Sequence, residues 1–235
     1  MKDTTFYNQE STRYSEKRYP DVSRSYTQFF FKRRLEITKK YLRYLIRQED
    51  SQISLLEVGC ADGIIIRAIQ KAFPNTFKKL VGVDIAPEMI AVAREKNSSN
   101  NAEFFTRDAY QDGVPVDIVL ETGVINYANF DEELAFAHAQ LIDGGWYLFS
   151  IAGTDSVLNR LKPEGDFNDF RSYKEYDHLV REKFIVRKVE GCGFFIPLLW
   201  RIPALARIVQ ALADPLVGWV APGLCHEKIY LVEKK

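Results

Sequence analysis

Residues 53–58 form a short apolar run, Ile-Ser-Leu-Leu-Glu-Val, followed by the small and turn-forming residues Gly59-Cys60-Ala61-Asp62-Gly63. A helix-patterned stretch comes next, with Ile65, Ile69 and Ala72 at helical spacing. Leu80-Val81-Gly82-Val83-Asp84 is then a second apolar run, closed by a carboxylate. Strand, tight loop, helix and strand together dictate a parallel pair, because parallel neighbours need a crossover and a helix supplies it. The same unit outlines a crevice for a nucleoside. Glycines let the backbone approach a ligand, and a carboxylate ending the next strand accepts hydrogen bonds from both ribose hydroxyls.

The alternation continues along the chain. It predicts helices over 63–73, 87–96 and 131–141, with strands over 103–106, 116–120 and 146–151. A helix over 172–181 precedes extended segments at 184–189 and 228–232, which suit an antiparallel hairpin at the sheet edge. Residues 1–49 read as an N-terminal lead-in and an amphipathic cap helix, and 50–235 as the sheet domain. Within the lead-in, residues 1–27 are polar with interspersed tyrosines (Tyr7, Tyr14, Tyr19, Tyr26), irregular or a short helix. The cap helix, predicted over 29–48, gathers Phe31, Leu35, Leu42 and Leu45 on one side and Lys32, Lys39, Lys40, Arg43 and Arg47 on the other. Arg34 falls inside the apolar arc, where an arginine needs an anion or carbonyl partner.

Between the last two extended segments lies an apolar, proline-punctuated insert, residues 194–224. Pro203 opens a predicted helix through Ala213, with Leu205, Ile208, Val209 and Leu212 on one face. Three readings stay open for it: core packing or a lid over the site, a homodimer contact, and peripheral contact with a membrane surface or a lipid-like substrate.

Lys+Arg and Asp+Glu both number 32, and this balance argues against a general nucleic-acid binder. The three cysteines, Cys60, Cys192 and Cys225, are scattered without a CxxC. Neither a disulfide framework nor a zinc site is suggested, and no metal ligand cluster stands out. The polar N-terminus lacks a signal-peptide pattern, and no run of about 18 uncharged apolar residues occurs. A cytoplasmic location is the expectation.

Five segments in order resemble the class I S-adenosylmethionine-dependent methyltransferases. Glu57, Gly59 and Gly63 match the family's acidic residue and glycine loop, with Cys60 between them and Ala61 where the middle glycine is usual. Val81-Gly82-Val83-Asp84-Ile85 matches the second motif. Phe105-Thr106-Arg107-Asp108-Ala109 matches the third, and residues 116–127 resemble the segment after the fourth strand. Residues 141–150 match the turn and fifth strand.

The resemblance implies an α/β fold with a doubly wound, mostly parallel seven-stranded sheet, helices on both faces and an antiparallel C-terminal edge strand. It implies S-adenosylmethionine as cofactor. Asp84 would hold the ribose hydroxyls and Ile85 the adenine face. Asp108 would accept from the adenine amino group, the Ala109 amide would donate to a ring nitrogen, and Glu121 would lie beside the methionine part. Arg34 is the expected partner of the cofactor carboxylate, and the N-terminal tyrosines could close over the sulfonium.

A G-x-G-x-x-G loop is absent, which disfavours a nicotinamide enzyme. The Asn/Asp-Pro-Pro-aromatic motif of many amide and nucleobase N-methyltransferases is also absent. The expected reaction is in-line methyl transfer to a small molecule, with oxygen the acceptor atom and the acceptor aromatic, lipid-like or glycan-linked. His226 is the candidate general base, while His138 and His178 read as structural and exposed. The alternatives are a non-catalytic S-adenosylmethionine-binding sensor or partner subunit, and an RNA methyltransferase.

Overall fold

Ile53–Val58 (β1) is buried along its whole length, as a strand covered by helices on both faces must be. The computed structural model describes residues 4–47, 52–97, 101–110, 114–161 and 167–235. In chain order the elements are α1 (Thr4–Glu10), α2 (Tyr14–Arg18), α3 (Tyr26–Ile46), β1, α4 (Ile64–Ala72), β2 (Phe77–Asp84), α5 (Pro87–Lys96), β3 (Ala102–Thr106) and β4 (Val116–Glu121). There follow α6 (Phe130–Gln140), β5 (Leu141–Ala152), α7 (Val157–Leu161), α8 (Tyr173–Lys183), β6 (Phe184–Cys192), α9 (Pro203–Val220) and β7 (Glu227–Lys234).

The seven strands form one sheet in the order β3-β2-β1-β4-β5-β7-β6. The five from β3 to β5 are parallel. Strand β7 runs antiparallel to both β5 and β6. The C-terminal hairpin therefore sits at the sheet edge as expected, with β7 one place in and β6 outermost.

Successive side chains point to opposite faces, and Leu55 and Leu56 divide accordingly. Leu55 packs in the cluster that holds Ile37, Leu42 and Leu45 of α3 with Ile66 and Ile69 of α4. Leu56 joins Val81, Val119 and Tyr147 with Leu134 of α6 and Tyr176 and Val180 of α8. Helix α3 thus shares the main core.

Ser25 starts α3 by accepting a hydrogen bond from the Gln28 amide at 3.3 Å. The predicted cap helix is there, displaced toward the N-terminus by this cap. Ser172 and Glu175 form a reciprocal capping box at α8. The lead-in is helical, as α1 and α2. Helix α9 passes through Pro215 to Val220, beyond the predicted Ala213. Its inner side explains this persistence: Asp214 and Gly218 are buried, and Gly218 lies so close to the Gly191 carbonyl that a Cβ would collide with it.

The chain moves outward from β1 through β2 to β3, then returns to place β4 on the other flank of β1. This reversal opens a crevice at the carboxyl ends of β1 and β4, where ligands bind in open α/β sheets.

Candidate cofactor site

The loop after β1 turns sharply by using left-handed residues at alternate positions: Gly59 at φ 72°, Ala61 at 47° and Gly63 at 74°. The Gly59 and Cys60 amides donate to the Val83 carbonyl at 2.8 and 3.0 Å, which pins the loop to the end of β2. A Cβ on Gly59 would collide with Val124. Ala61 occupies a conformation that costs an L-residue roughly 1–2 kcal/mol, and its place against Ala86, Met89, Tyr7 and Tyr14 offsets this with apolar contact.

Asp84 ends β2 beside that loop. Its Oδ2 accepts from the Ala61 amide at 2.9 Å and its Oδ1 from the Ala86 amide at 3.0 Å. The carboxylate therefore holds the loop and the entry to α5 at once. Each oxygen keeps a further lone pair. Burial pushes its pKa up against the lowering effect of these amides. Ile85, next along, is 55% exposed.

These residues line a cavity of about 360 Å³. Gly59, Ala61, Asp84 and Ile85, all expected at the site, meet there. Residues with no predicted role complete it: Met89 of α5, Arg107 after β3, Gly123, Val124 and Tyr127 after β4, and Glu133 of α6. Tyr7 and Tyr14 of the lead-in also line it. The Arg18 guanidinium lies 4.1 Å from the Tyr14 ring centroid, so one cation already stacks on that tyrosine.

Asp62 is the site-loop residue that sequence reasoning passed over. It is fully buried and gathers three helices. The Ser15 hydroxyl of α2 donates to it, Lys96 of α5 pairs with its Oδ2 at 2.9 Å, and Arg67 of α4 pairs with its Oδ1 at 3.7 Å. A carboxylate among Gly, Cys and Ala was the available signal.

Other expected residues lie outside the cavity wall. Cys60 points into the core, where its sulfur would meet any Cβ on Gly82. Gly63 sits at the start of α4. Asp108 is exposed, and its Oδ1 accepts from the Ala109 amide at 3.0 Å. That amide also donates to the Thr106 carbonyl at 3.1 Å, and Ala109 lines a separate hollow of about 570 Å³ with Val81, Phe105 and Tyr110.

Glu57 is buried with Oε2 unpaired. Burial, then the nearby Asp84 and Asp62, hold its carboxyl well above the ordinary range. Glu121 is also fully buried; its Oε2 accepts from the Tyr147 hydroxyl at 2.6 Å and its Oε1 has no partner. Burial and the neighbouring Glu133 push its pKa up to about 8 from an ordinary 4.5.

This shift has a definite sign. Between pH 4.5 and 8 the native protein keeps a proton that the unfolded chain releases, so stability falls as pH rises through that window. The full effect is on the order of 5 kcal/mol. Glu121→Gln, which cannot ionise, is expected to flatten the decline. Urea-unfolding midpoints from pH 5 to 8.5 check this, and parallel curves for the two proteins would refute it.

Arg34 has found a carboxylate partner inside the protein. Its Nη1 donates to Glu227 Oε1 and Oε2 at 3.1 and 3.3 Å, with both side chains buried. Its charge also acts on the buried Tyr19 hydroxyl, lowering that pKa against the raising effect of burial. The guanidinium presses on Gly123, leaving no room for a Cβ there. His226, next to Glu227, packs its ring 5.0 Å from that of Phe30 and bonds Asn159 Oδ1 through Nδ1 at 3.1 Å. It is absent from the cavity wall.

Residues 56–147, which span the glycine loop, Asp84 and the segment after β4, match the family described as "Methyltransferase domain". This stretch is a methyltransferase domain of the class I S-adenosylmethionine-dependent kind. The methyltransferase is 27% identical over 185 residues to malonyl-[acyl-carrier protein] O-methyltransferase 1 of Ilyobacter polytropus, covering 74% of this chain and 68% of that one. It is 26% identical to the enzyme of the same description from Bacillus cytotoxicus, covering 59% of this chain and 49% of the relative. Its fold is similar to that of magnesium protoporphyrin IX methyltransferase from Synechocystis PCC 6803, solved with bound S-adenosylhomocysteine. There the TM-score is 0.65, the identity 15%, and the coverage 99% of this chain and 100% of the other.

The methyltransferase's cavity suits its cofactor, S-adenosylmethionine. Asp84 offers two carboxylate oxygens at the rim, and exposed Ile85 offers an apolar surface beside them for an aromatic base.

Proposed function

We propose that this methyltransferase acts on a carboxylate oxygen of a small acyl acceptor. The observation that carries the cofactor half of the reading is Asp84, which is held by the Ala61 and Ala86 amides at the wall of the cavity. The acceptor half is supported by relatives whose descriptions name O-methylation of a malonyl-carrier protein. A malonyl thioester carries a free carboxylate. S-adenosylmethionine, when bound, supplies an electrophilic methyl group on a positively charged sulfur.

Gly59, Ala61, Asp84 and Ile85 hold the nucleoside. Glu57, Cys60, Gly63 and Glu121 shape the wall from behind, and Arg34 supports it through Gly123. Asp108 and Ala109 follow Arg107 outside the cavity wall and would have to turn inward to meet the adenine. Tyr7 and Tyr14 exclude water from that side of the cavity, where bulk solvent would compete with the acceptor.

An ionised carboxylate needs no proton removed before it attacks. His226→Gln is therefore expected to leave turnover within a few-fold of the wild type, measured with saturating cofactor. A loss of about 10²–10⁴-fold would instead mark His226 as a general base and the acceptor as a hydroxyl.

The decisive experiment supplies methyl-labelled S-adenosylmethionine with malonyl-carrier protein, malonyl-coenzyme A and a panel of phenols. A methyl ester releases labelled methanol in alkali, and that release from an acyl product is the expected result. Label stable to alkali would overturn the carboxylate. Tight cofactor binding without any labelled product would favour a non-catalytic binder.

A further inference from the structure

Helix α9 is built inside out. Its buried positions are Ala206, Gln210, Asp214 and Gly218, spaced every four residues. Its exposed positions include Leu205, Ile208, Leu212, Leu216 and Trp219, between 48% and 79% exposed. The orientation is locked by specific bonds. Asp214 accepts from the Phe194 amide at 2.6 Å and from Arg33 Nε of α3 at 3.2 Å. Gln210 donates to the Phe194 carbonyl, and Gly218 abuts the Gly191 carbonyl. Turning the apolar stripe inward would break each of these contacts.

We infer that α9 docks the protein on the surface of an anionic phospholipid bilayer, lying in the plane of the interface. Eighteen residues at 1.5 Å each give an apolar strip about 27 Å long, extended by exposed Leu198 and Ile202 at one end and Val220 and Leu224 at the other. Trp219 near one end suits the headgroup level, where indole rings concentrate. The charged residues of 194–224 are Arg201, Arg207 and Asp214. Asp214 is buried against Arg33, and Arg207 is half-buried with its Nη1 donating to the Ser23 carbonyl at 3.3 Å. The fully exposed charge of this segment is therefore that of Arg201, which is positive and complements anionic headgroups.

A protein partner would be expected to find about one hydrogen bond per 100–200 Å². Along the helix the exposed apolar face offers one side-chain donor, the Trp219 indole, with Arg201 at the flank as the other. Among the described residues no helix is long and apolar enough to cross a membrane, and the polar inner face of α9 keeps it at the interface. The helix joins the end of β6 to the start of β7, and Glu227 of β7 pairs with Ala152 at the end of β5. Docking therefore turns the cofactor end of the sheet toward the lipid.

The test uses the full chain with extruded vesicles of phosphatidylcholine alone or with about one-third phosphatidylglycerol. Flotation with the anionic vesicles, at least tenfold reduced for Leu212→Asp/Leu216→Asp, is the expected result. The variant's melting temperature and its affinity for S-adenosylmethionine should match the wild type, since neither residue touches the core or the cavity wall. In parallel, the wild type should show Trp219 fluorescence quenched by brominated lipid, an effect lost in Trp219→Phe. Failure to bind either vesicle overturns the proposal. So does a wild-type dimer in sedimentation that the double variant converts to monomer, because the strip would then belong to a second copy.

Discussion

Asp84→Ala is expected to weaken S-adenosylmethionine binding by about 10²–10⁴-fold while the protein stays folded. Two charge-assisted hydrogen bonds to the ribose hydroxyls are worth roughly 1.5–3 kcal/mol each, and every 1.4 kcal/mol is about tenfold in affinity. Part of the loss is indirect. The Ala61 and Ala86 amides that now donate to the carboxylate would turn to water, and the loop would keep only its backbone ties from Gly59 and Cys60 to the Val83 carbonyl. Asp84→Asn separates the two effects, because it keeps the shape but presents a donor to one of those amides. Calorimetric titration, with the melting temperature as a fold control, reads both variants. Unchanged affinity in Asp84→Ala would remove the assignment of this cavity. Because burial raises the Asp84 pKa above its ordinary 3.8, affinity should also begin to fail on acidification at a higher pH than for an ordinary aspartate.

The second large effect concerns Arg34. Its pairing with Glu227 is buried on both sides, so Arg34→Ala strands a carboxylate away from water. Breaking a buried pair from one side costs about 3–5 kcal/mol, and urea unfolding should show that loss. Removing both charges is a different matter: Arg34→Met/Glu227→Leu should recover most of the stability, since no unpaired charge remains. A double variant as unstable as Arg34→Ala would show that shape, not charge, sets the cost. Cofactor affinity of the double variant then reports whether support of Gly123 needs the guanidinium itself.

These two residues show how far sequence could reach. Asp84 was legible because its role is local: a strand of period two ends, a loop of small residues lies one crossover away, and the carboxylate must stand at the crevice. Arg34 was legible as a problem. Its place in the apolar arc of α3 demanded a partner, but Glu227 is 193 positions distant, and nothing local announces it. The same limit hid Arg107, Tyr127 and Glu133, which reach the cavity through sheet order alone.

Helix α9 marks a different boundary. Periodicity located an apolar face with Leu205, Ile208 and Leu212, yet periodicity cannot say which side is inside. That choice was made by Arg33, Phe194 and Gly191, from other parts of the chain. Pro215 read as punctuation because a proline in a helix interior removes one backbone hydrogen bond. The anchored residues on the inner face carry the helix through it. In the lead-in, α1 and α2 lack strong periodicity, and they are tied down by distant residues: Asn8 of α1 accepts from the Glu88 amide of α5, and Ser15 of α2 reaches Asp62.

The placement of β7 bears on biosynthesis. Strand β7 follows the other six strands in sequence and is wedged between β5 and β6, so a ribosome must deliver all seven before that half of the sheet can close. Until then β5 and β6 both present open hydrogen-bonding edges, and such edges recruit strands from other chains. The nascent protein thus passes through a stage in which its parallel half can be folded while its remaining strands wait for one another. Conditions that slow delivery of β7 would prolong that vulnerable stage.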